Sequence, residues 1–190
     1  MATVTTADPT PQELRAVLSH PDALYEIVDG QIIELPAMSA YASMIADRLF
    51  VAIRAVAHRL GLGFVTIETM FILDEARNLV RRPDVAFVSS ERWPLDREVP
   101  TKGEFLVVPD LVVEVLSPNA LSAGVAKKTR EYLRHGVREV WLVQPEAREI
   151  TVHRSNKRGE FCEEGDTLEG GAMLPSLRVV VTDLFRRTVG

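Results

Sequence analysis

Two short runs of β-favouring residues, Asp84-Val85-Ala86-Phe87-Val88 and Leu111-Val112-Val113-Glu114-Val115-Leu116, constrain this chain more than any other feature. Runs so nearly free of polar interruption suit central strands of a sheet covered on both faces, because a sheet open to water on one side alternates apolar and polar residues instead. The covering layers must then come from the rest of the chain. With 190 residues and 46% hydrophobic composition there is enough apolar material for one core and too little length for two ordinary domains. Residues 10–190 therefore read as a single domain after a small, polar and disordered segment 1–9.

The covering elements are legible from their spacing. Thr10-Pro11-Gln12-Glu13 combines an N-cap, a proline at the first helical position and a capping-box glutamate, predicting a short helix to about Ser19. Two β-runs, Tyr25 to Val28 and Gln31 to Leu35, flank Asp29-Gly30, the dipeptide of a type I′ hairpin. Ile45, Leu49, Ile53, Val56 and Leu60 recur in steps of three and four, which predicts a long core helix over Tyr41 to Leu60 stopped by Gly61. Further strands are expected at Phe64 to Glu68 and Met70 to Leu73, and a surface excursion over Ser89 to Val108. A second helix, about Ala123 to His135, leads into the strand Val140 to Val143 as a strand–helix–strand crossover. Glu149 to Arg154 and Phe161 to Glu164 read as a closing hairpin around the loop Ser155 to Gly159, and a terminal helix is expected near Thr182 to Arg187. The fold class is α/β, a central mixed sheet flanked by helices with an N-terminal helix and hairpin.

Composition excludes several functions. No apolar run approaches the roughly 20 residues that span a bilayer, and the start of the chain lacks a signal-peptide pattern, so a soluble cytoplasmic protein is expected. Cys162 is the single cysteine, so it has no disulfide partner and no thiolate zinc site is available. The net charge of −5 argues against tight, sequence-independent nucleic-acid binding as the main task. There is no glycine-rich phosphate loop, and His20, His58, His135 and His153 are scattered.

The acids carry the chemistry. A divalent ion that activates water needs hard oxygen ligands on rigid strands, and Asp84 and Glu114 occupy such positions. Glu114, flanked by apolar β-residues, requires a cation, either a metal ion or an interior Arg or Lys. Glu26 is a third acid, placed by alternation on the opposite face from Tyr25 and Ile27, and it reads either as part of a site or as a solvated strand residue. Glu68, at a strand end, is a weaker candidate of the same kind. On the second helix, 100° per residue puts Val125, Lys128, Thr129 and Tyr132 on one face, which makes Lys128 the inward cation, or else a lysine snorkelling at the edge of that face. Arg81, Arg82, Lys127, Lys128, Arg130, Arg134 and Arg138 are the basic residues that could line a cleft.

The ordered set Tyr25-Glu26-Ile27-Val28-Asp29-Gly30, Arg82-Pro83-Asp84-Val85, Pro109-Asp110-Leu111-Val112-Val113-Glu114-Val115-Leu116-Ser117-Pro118, Lys128 with Tyr132, and Trp141-Leu142-Val143 resembles the Uma-type putative restriction endonuclease family of the PD-(D/E)xK nuclease superfamily. The resemblance implies a restriction-endonuclease-like core, metal positions at Asp84, Glu114 and Val115, and Glu26 as an additional acid. It also implies Mg²⁺ or Mn²⁺ as cofactor, DNA as substrate cleaved by a metal-activated water, and a homodimer. The superfamily's lysine two positions after the second acid is replaced by Leu116, and Lys128 in the following helix takes that role by resemblance. Ala42 stands where the family commonly has a His, and Asn119-Ala120 where it often has an Asp. These departures keep a weakly active or inactive binding module as the alternative, with a hydrolase for another phosphoester as a third reading.

Overall fold

Asp29 and Gly30 both take positive φ, 49° and 76°, as a type I′ turn requires. They join β1 (Tyr25–Val28) and β2 (Gln31–Glu34) into the expected antiparallel hairpin. The computed structural model describes residues 24–101, 103–118, 122–154 and 157–188. The helix expected at Thr10 to Ser19, the segment 1–9 and the Asn119-Ala120 pair lie outside the described residues.

Helix α1 (Ala40–Arg59) starts where Ser39 accepts the Ala42 N–H on its hydroxyl at 3.1 Å. Its stripe of Ile45, Leu49, Ile53 and Val56 is buried, and Gly61, at φ 60°, lets the chain leave the helix. The strands β3 (Gly63–Ile67), β4 (Phe71–Asp74), β5 (Leu79–Arg81), β6 (Val85–Ser89) and β7 (Leu111–Val115) follow. Gly63 is required at its place, because a Cβ there would sit 2.0 Å from the Val88 carbonyl oxygen on the paired strand. Helix α2 (Ser122–Arg134) crosses over to β8 (Glu139–Gln144). The chain then continues through β9 (Glu149–Arg154), β10 (Lys157–Cys162), β11 (Thr167–Glu169), β12 (Arg178–Val180) and α3 (Val181–Leu184).

The central sheet runs β10-β9-β8-β7-β6-β3; β7 and β8 are parallel across the α2 crossover and the other pairs are antiparallel. A smaller antiparallel sheet runs β2-β1-β5-β4. Val85, Phe87, Leu111, Val113 and Val115 point to the face covered by α1 and by Leu174, Leu177, Leu184 and Phe185 from the C-terminal segment. Ala86, Val88, Val112 and Val140 point to the opposite face, against Phe71, Leu79, Trp93 and Tyr132. Both faces are covered, as the uninterrupted apolar runs require.

Several local expectations are corrected. β5, absent from the sequence reading, is only Leu79-Val80-Arg81 and is specified by its position between β1 and β4 rather than by a pattern of its own. β11 and β12 escape for the same reason of length. β10 begins at Lys157, inside the expected loop, and the terminal helix ends at Leu184 rather than Arg187. The excursion between β6 and β7 is not merely superficial: Trp93 is 4% exposed and packs edge-on to Phe105 at 5.3 Å, and Phe105 reaches Phe71 at 5.7 Å. Among the described residues no helix is long and apolar enough to cross a membrane, and Cys162 is free and buried.

Candidate active site

The sheet register builds the site. Val85 of β6 lies opposite Val113 of β7, so one step outward sets Asp84 opposite Glu114, on the face shared with Ala86 and Val112. On the other flank Ile67 of β3 lies opposite Val85, and the Glu68 N–H donates to the Asp84 carbonyl at 3.2 Å. Glu68, Asp84 and Glu114 therefore stand abreast across three neighbouring strands. Glu68 takes φ 45°, a left-handed conformation that ends β3 beside Asp84.

Asp84 Oδ2 accepts the Val115 main-chain N–H at 2.6 Å. Burial, reinforced by the charge of Glu114, pushes the Asp84 carboxyl up to about 7; the Val115 N–H and Lys128 oppose that rise without cancelling it. Glu114 accepts from Lys128 Nζ at 2.8 Å on one oxygen and from the Tyr132 hydroxyl at 2.7 Å on the other. Burial raises Glu114 as well, with Lys128 offsetting part of the effect. Its partner among side chains is thus the interior lysine that the sequence left open as one alternative.

Lys128 and Tyr132 lie one helical turn apart on the inward face of α2. The Lys128 ammonium bridges Glu26 and Glu114 at 2.8 Å to each. Burial alone would lower its pKa, but the two carboxylates outweigh burial and raise it, so Lys128 stays charged. Glu26 departs from a solvated strand residue: all four residues of β1 are buried, and Glu26 is 2% exposed. It accepts from Arg81 Nη1 at 2.6 Å and from the Arg82 main-chain N–H at 3.0 Å. Burial works against its charge, yet Lys128 and Arg81 together hold Glu26 below the usual carboxylate range. Arg81 in turn pairs with Glu131 of α2.

The result is an unbroken buried chain of alternating charge, Glu131–Arg81–Glu26–Lys128–Glu114, with Asp84 beside its last member. Glu131, the anchoring role of Arg81 and the Tyr132 hydroxyl were absent from the sequence reading of the site. A signal for Glu131 existed, since it follows Lys128 by three positions and precedes Tyr132, which places it on the same side of the helix.

A cavity of about 500 Å³ opens over this chain, lined by Glu68, Arg82, Asp84, Glu114, Val115, Lys128 and Glu146 and walled elsewhere mostly by apolar residues. Of the seven basic residues considered for a cleft, only Arg82 and Lys128 line it. Arg81 is buried in the ion chain, and Arg138 sits at the other end of β7 with Asp110 and Glu91. Lys127 pairs with Glu131 at 3.8 Å, while Arg130 and Arg134 are exposed on the outer side of α2. No described histidine lines it either: His58 is exposed, His135 contacts Asp74 and the Glu131 carbonyl, and His153 lies on β9.

The donor set suits a hard divalent cation in charge and chemistry, though not as a ready-made cage. Among the described residues no three His, Cys, Asp or Glu side chains gather closely enough to hold a metal ion by themselves. Four carboxylates (Glu131, Glu26, Glu114, Asp84) share the two interior cations Arg81 and Lys128, with the exposed Lys127 reaching only Glu131, which leaves the cluster short of positive charge when all are ionised. Asp84 Oδ1 has no protein partner among the described residues, and the hydrogen-bonded oxygens of Glu114 keep lone pairs to donate. Val115 has only its main-chain carbonyl to offer.

The mixed sheet thus carries paired acids at the facing ends of two central strands, with a lysine supplied by the crossover helix. The fold matches the crystal structure of a putative nuclease belonging to DUF820 from Anabaena variabilis ATCC 29413. The TM-score is 0.74 at 23% identity, over 85% of this chain and 89% of that one. Residues 11–182 match the profile of the Uma2 family, described as putative restriction endonuclease, and the chain belongs to that family. Comparison with curated proteins gives no match.

Proposed function

We propose that this chain is a divalent-metal-dependent endonuclease that hydrolyses DNA phosphodiester bonds, with Asp84, Glu114 and the Val115 carbonyl holding Mg²⁺ or Mn²⁺. The observation that carries the reading is the face-to-face placement of Asp84 and Glu114 in a cluster short of positive charge, with Lys128 2.8 Å from Glu114. When bound, the ion would supply Lewis-acid stabilisation of the phosphate and lower the pKa of an attacking water. Lys128, permanently charged, stabilises the charge that develops on the phosphoryl oxygens. Glu26 acts through Lys128: it fixes the ammonium from behind while Arg81 and Glu131 fix Glu26. Tyr132 holds the Glu114 carboxylate in one orientation.

The test is cleavage of supercoiled plasmid by purified protein with added Mn²⁺. Asp84→Ala is expected to lower the rate about 10³-fold, on the order of the loss of a main charge-stabilising group. Cutting at the wild-type rate by that variant would remove the assignment.

A second reading, a non-catalytic binding or regulatory module, is favoured by one observation: both oxygens of Glu114 are already engaged by Lys128 and Tyr132. Titration calorimetry separates the two. The nuclease reading expects Mn²⁺ binding that Asp84→Asn abolishes, and the module reading expects no heat from Mg²⁺ or Mn²⁺ while a nucleic-acid or protein complex still forms.

A further inference from the structure

A nuclease that grips duplex DNA needs cations along its groove, since affinity for a phosphate backbone comes from Lys and Arg set against it. This cavity has the opposite character. Arg82 and Lys128 are the only cations among its described lining residues, and both also donate to acceptors of the protein itself. Arg82 donates to the Tyr25 and Glu68 carbonyls and lies over the Tyr25 ring, and Lys128 is shared between two carboxylates. Beside the carboxylates of Glu68, Asp84, Glu114 and Glu146 the lining is mostly apolar, with Leu35, Met38, Tyr41, Leu116 and Val125 part of it. Tyr41 is fixed there, its hydroxyl donating to the Phe185 carbonyl at 2.8 Å and Arg187 covering its ring at 5.2 Å. A volume of about 500 Å³ is that of a small-molecule pocket, with room for a base and its sugar.

Resting on the nuclease reading above, we propose that this recess takes an unpaired nucleobase, so that the substrate is single-stranded or frayed nucleic acid. A base within a duplex is stacked and paired and cannot enter a recess of this size unless it is first extruded, which costs free energy that a single strand does not spend. Binding of single strands rests on base contacts to aromatic and apolar surface together with a limited backbone charge, which is the balance found here. The net charge of −5 penalises the duplex, with its denser phosphates, more than a single strand. The base sits against Met38 and Tyr41 at the start of α1, and its own phosphodiester lies over Asp84 and Glu114.

Gly124 offers a test that does not endanger the fold. It lines the cavity from the first turn of α2, and a Cβ added there meets nothing within 4 Å, so Gly124→Trp fills the recess from a helical position where glycine is itself unfavourable. The experiment measures fluorescence anisotropy of a labelled oligothymidylate and of a blunt duplex of equal length in Ca²⁺, and cleavage of each in Mn²⁺, for wild type and Gly124→Trp. A single-strand preference of about ten-fold or more is expected, with Gly124→Trp losing about ten-fold in single-strand binding and cleavage at unchanged melting temperature. Equal or tighter duplex binding, or a Gly124→Trp protein that binds and cuts the single strand as wild type does, overturns the inference and leaves the nuclease reading standing. Absence of binding and cutting for both oligonucleotides overturns the two together.

Discussion

Strand β7 carries a buried carboxylate at each end, and the two are provided for in opposite ways. Asp110, just before the strand, is fully buried and lies 3.0 Å from Arg92 Nε and 3.1 Å from Arg138 Nε. Its other oxygen accepts the Ser89 N–H at 2.7 Å, and its carbonyl accepts two more main-chain N–H groups from Arg138 and Glu139. Two cations serve this one buried anion, Arg138 also reaching the exposed Glu91, and the arrangement is a clamp that ties β6, β7 and the start of β8 together. At the other end, Glu114 and Asp84 share one neighbouring lysine that Glu26 also claims, and a cavity opens over them. A folding element satisfies its charges internally, while this second cluster is left short of positive charge next to solvent. That deficit, more than the presence of acids, distinguishes a candidate site from a structural ion pair.

The contrast is broken most severely by removing the lysine. Lys128→Met leaves Glu26 and Glu114 buried without their shared cation, which is expected to cost about 3–5 kcal/mol at pH 8. Urea denaturation checks this, and the cost should shrink at pH 5, where the abandoned carboxylates can take up protons instead. Next in size is Asp110→Ala. It leaves the buried Ser89 N–H without an acceptor, while Arg92 and Arg138 are partly exposed and can turn to water, so a loss of about 2–3 kcal/mol is expected. Cleavage by Asp110→Ala, assayed well below its melting temperature, should stay within about two-fold of wild type because the clamp touches no lining residue of the cavity.

Asp84→Asn is expected to act with the opposite sign. The folded carboxyl titrates at about 7 against an ordinary 3.8, so the fold favours the protonated acid. Stability from this group is complete below pH 3.8 and is lost as pH rises through 7. The neutral amide escapes that loss. A shift of this size corresponds to at most about 4 kcal/mol, and with water at the cavity mouth about 2 kcal/mol is the expected gain of Asp84→Asn over wild type at pH 8, vanishing near pH 4. Added Mn²⁺ should raise the melting temperature of the wild type at pH 8 and leave that of the variant unmoved. A variant less stable than wild type at pH 8 in metal-free buffer would mean that Asp84 belongs with Asp110 as a structural acid.

How far the sequence reaches follows the same division. The central strands were legible because uninterrupted β-type runs have one comfortable setting, and α1 because its apolar residues repeat at helical spacing. The inward turn of Lys128 was legible from the same geometry applied to α2. For Glu26 the pattern left a site acid and a solvated residue open: alternation along β1 predicts one solvated face, whereas β1 is buried throughout, and no local pattern in Tyr25 to Val28 announces that. Arg81 and Glu131 were missed as anchors because an ion pair between residues 50 positions apart leaves no trace in spacing. The seven basic residues misled in the other direction, since charge type says nothing about which end of the sheet a side chain serves.

The smallest predicted effect probes that blind spot. Tyr132 sits 1% exposed in the apolar layer under the central sheet and spends its hydroxyl on Glu114. Burial, with the nearby charge of Glu114, pushes the phenol well above its ordinary pKa, so it acts as a donor and never as a base. Tyr132→Phe keeps the ring and removes only that hydrogen bond, which is expected to cost about 1–2 kcal/mol because the acceptor is charged and buried. If Tyr132 only packs, nothing else changes. If it orients Glu114 for an ion, calorimetry on Tyr132→Phe should show Mn²⁺ affinity reduced by about ten-fold, within the range that outer partners of metal ligands contribute. Lys128 still holds the other carboxylate oxygen, so the site should be loosened rather than lost. Unchanged Mn²⁺ affinity alongside the stability loss would assign Tyr132 to the core alone and leave Lys128 as the one side chain that orients Glu114.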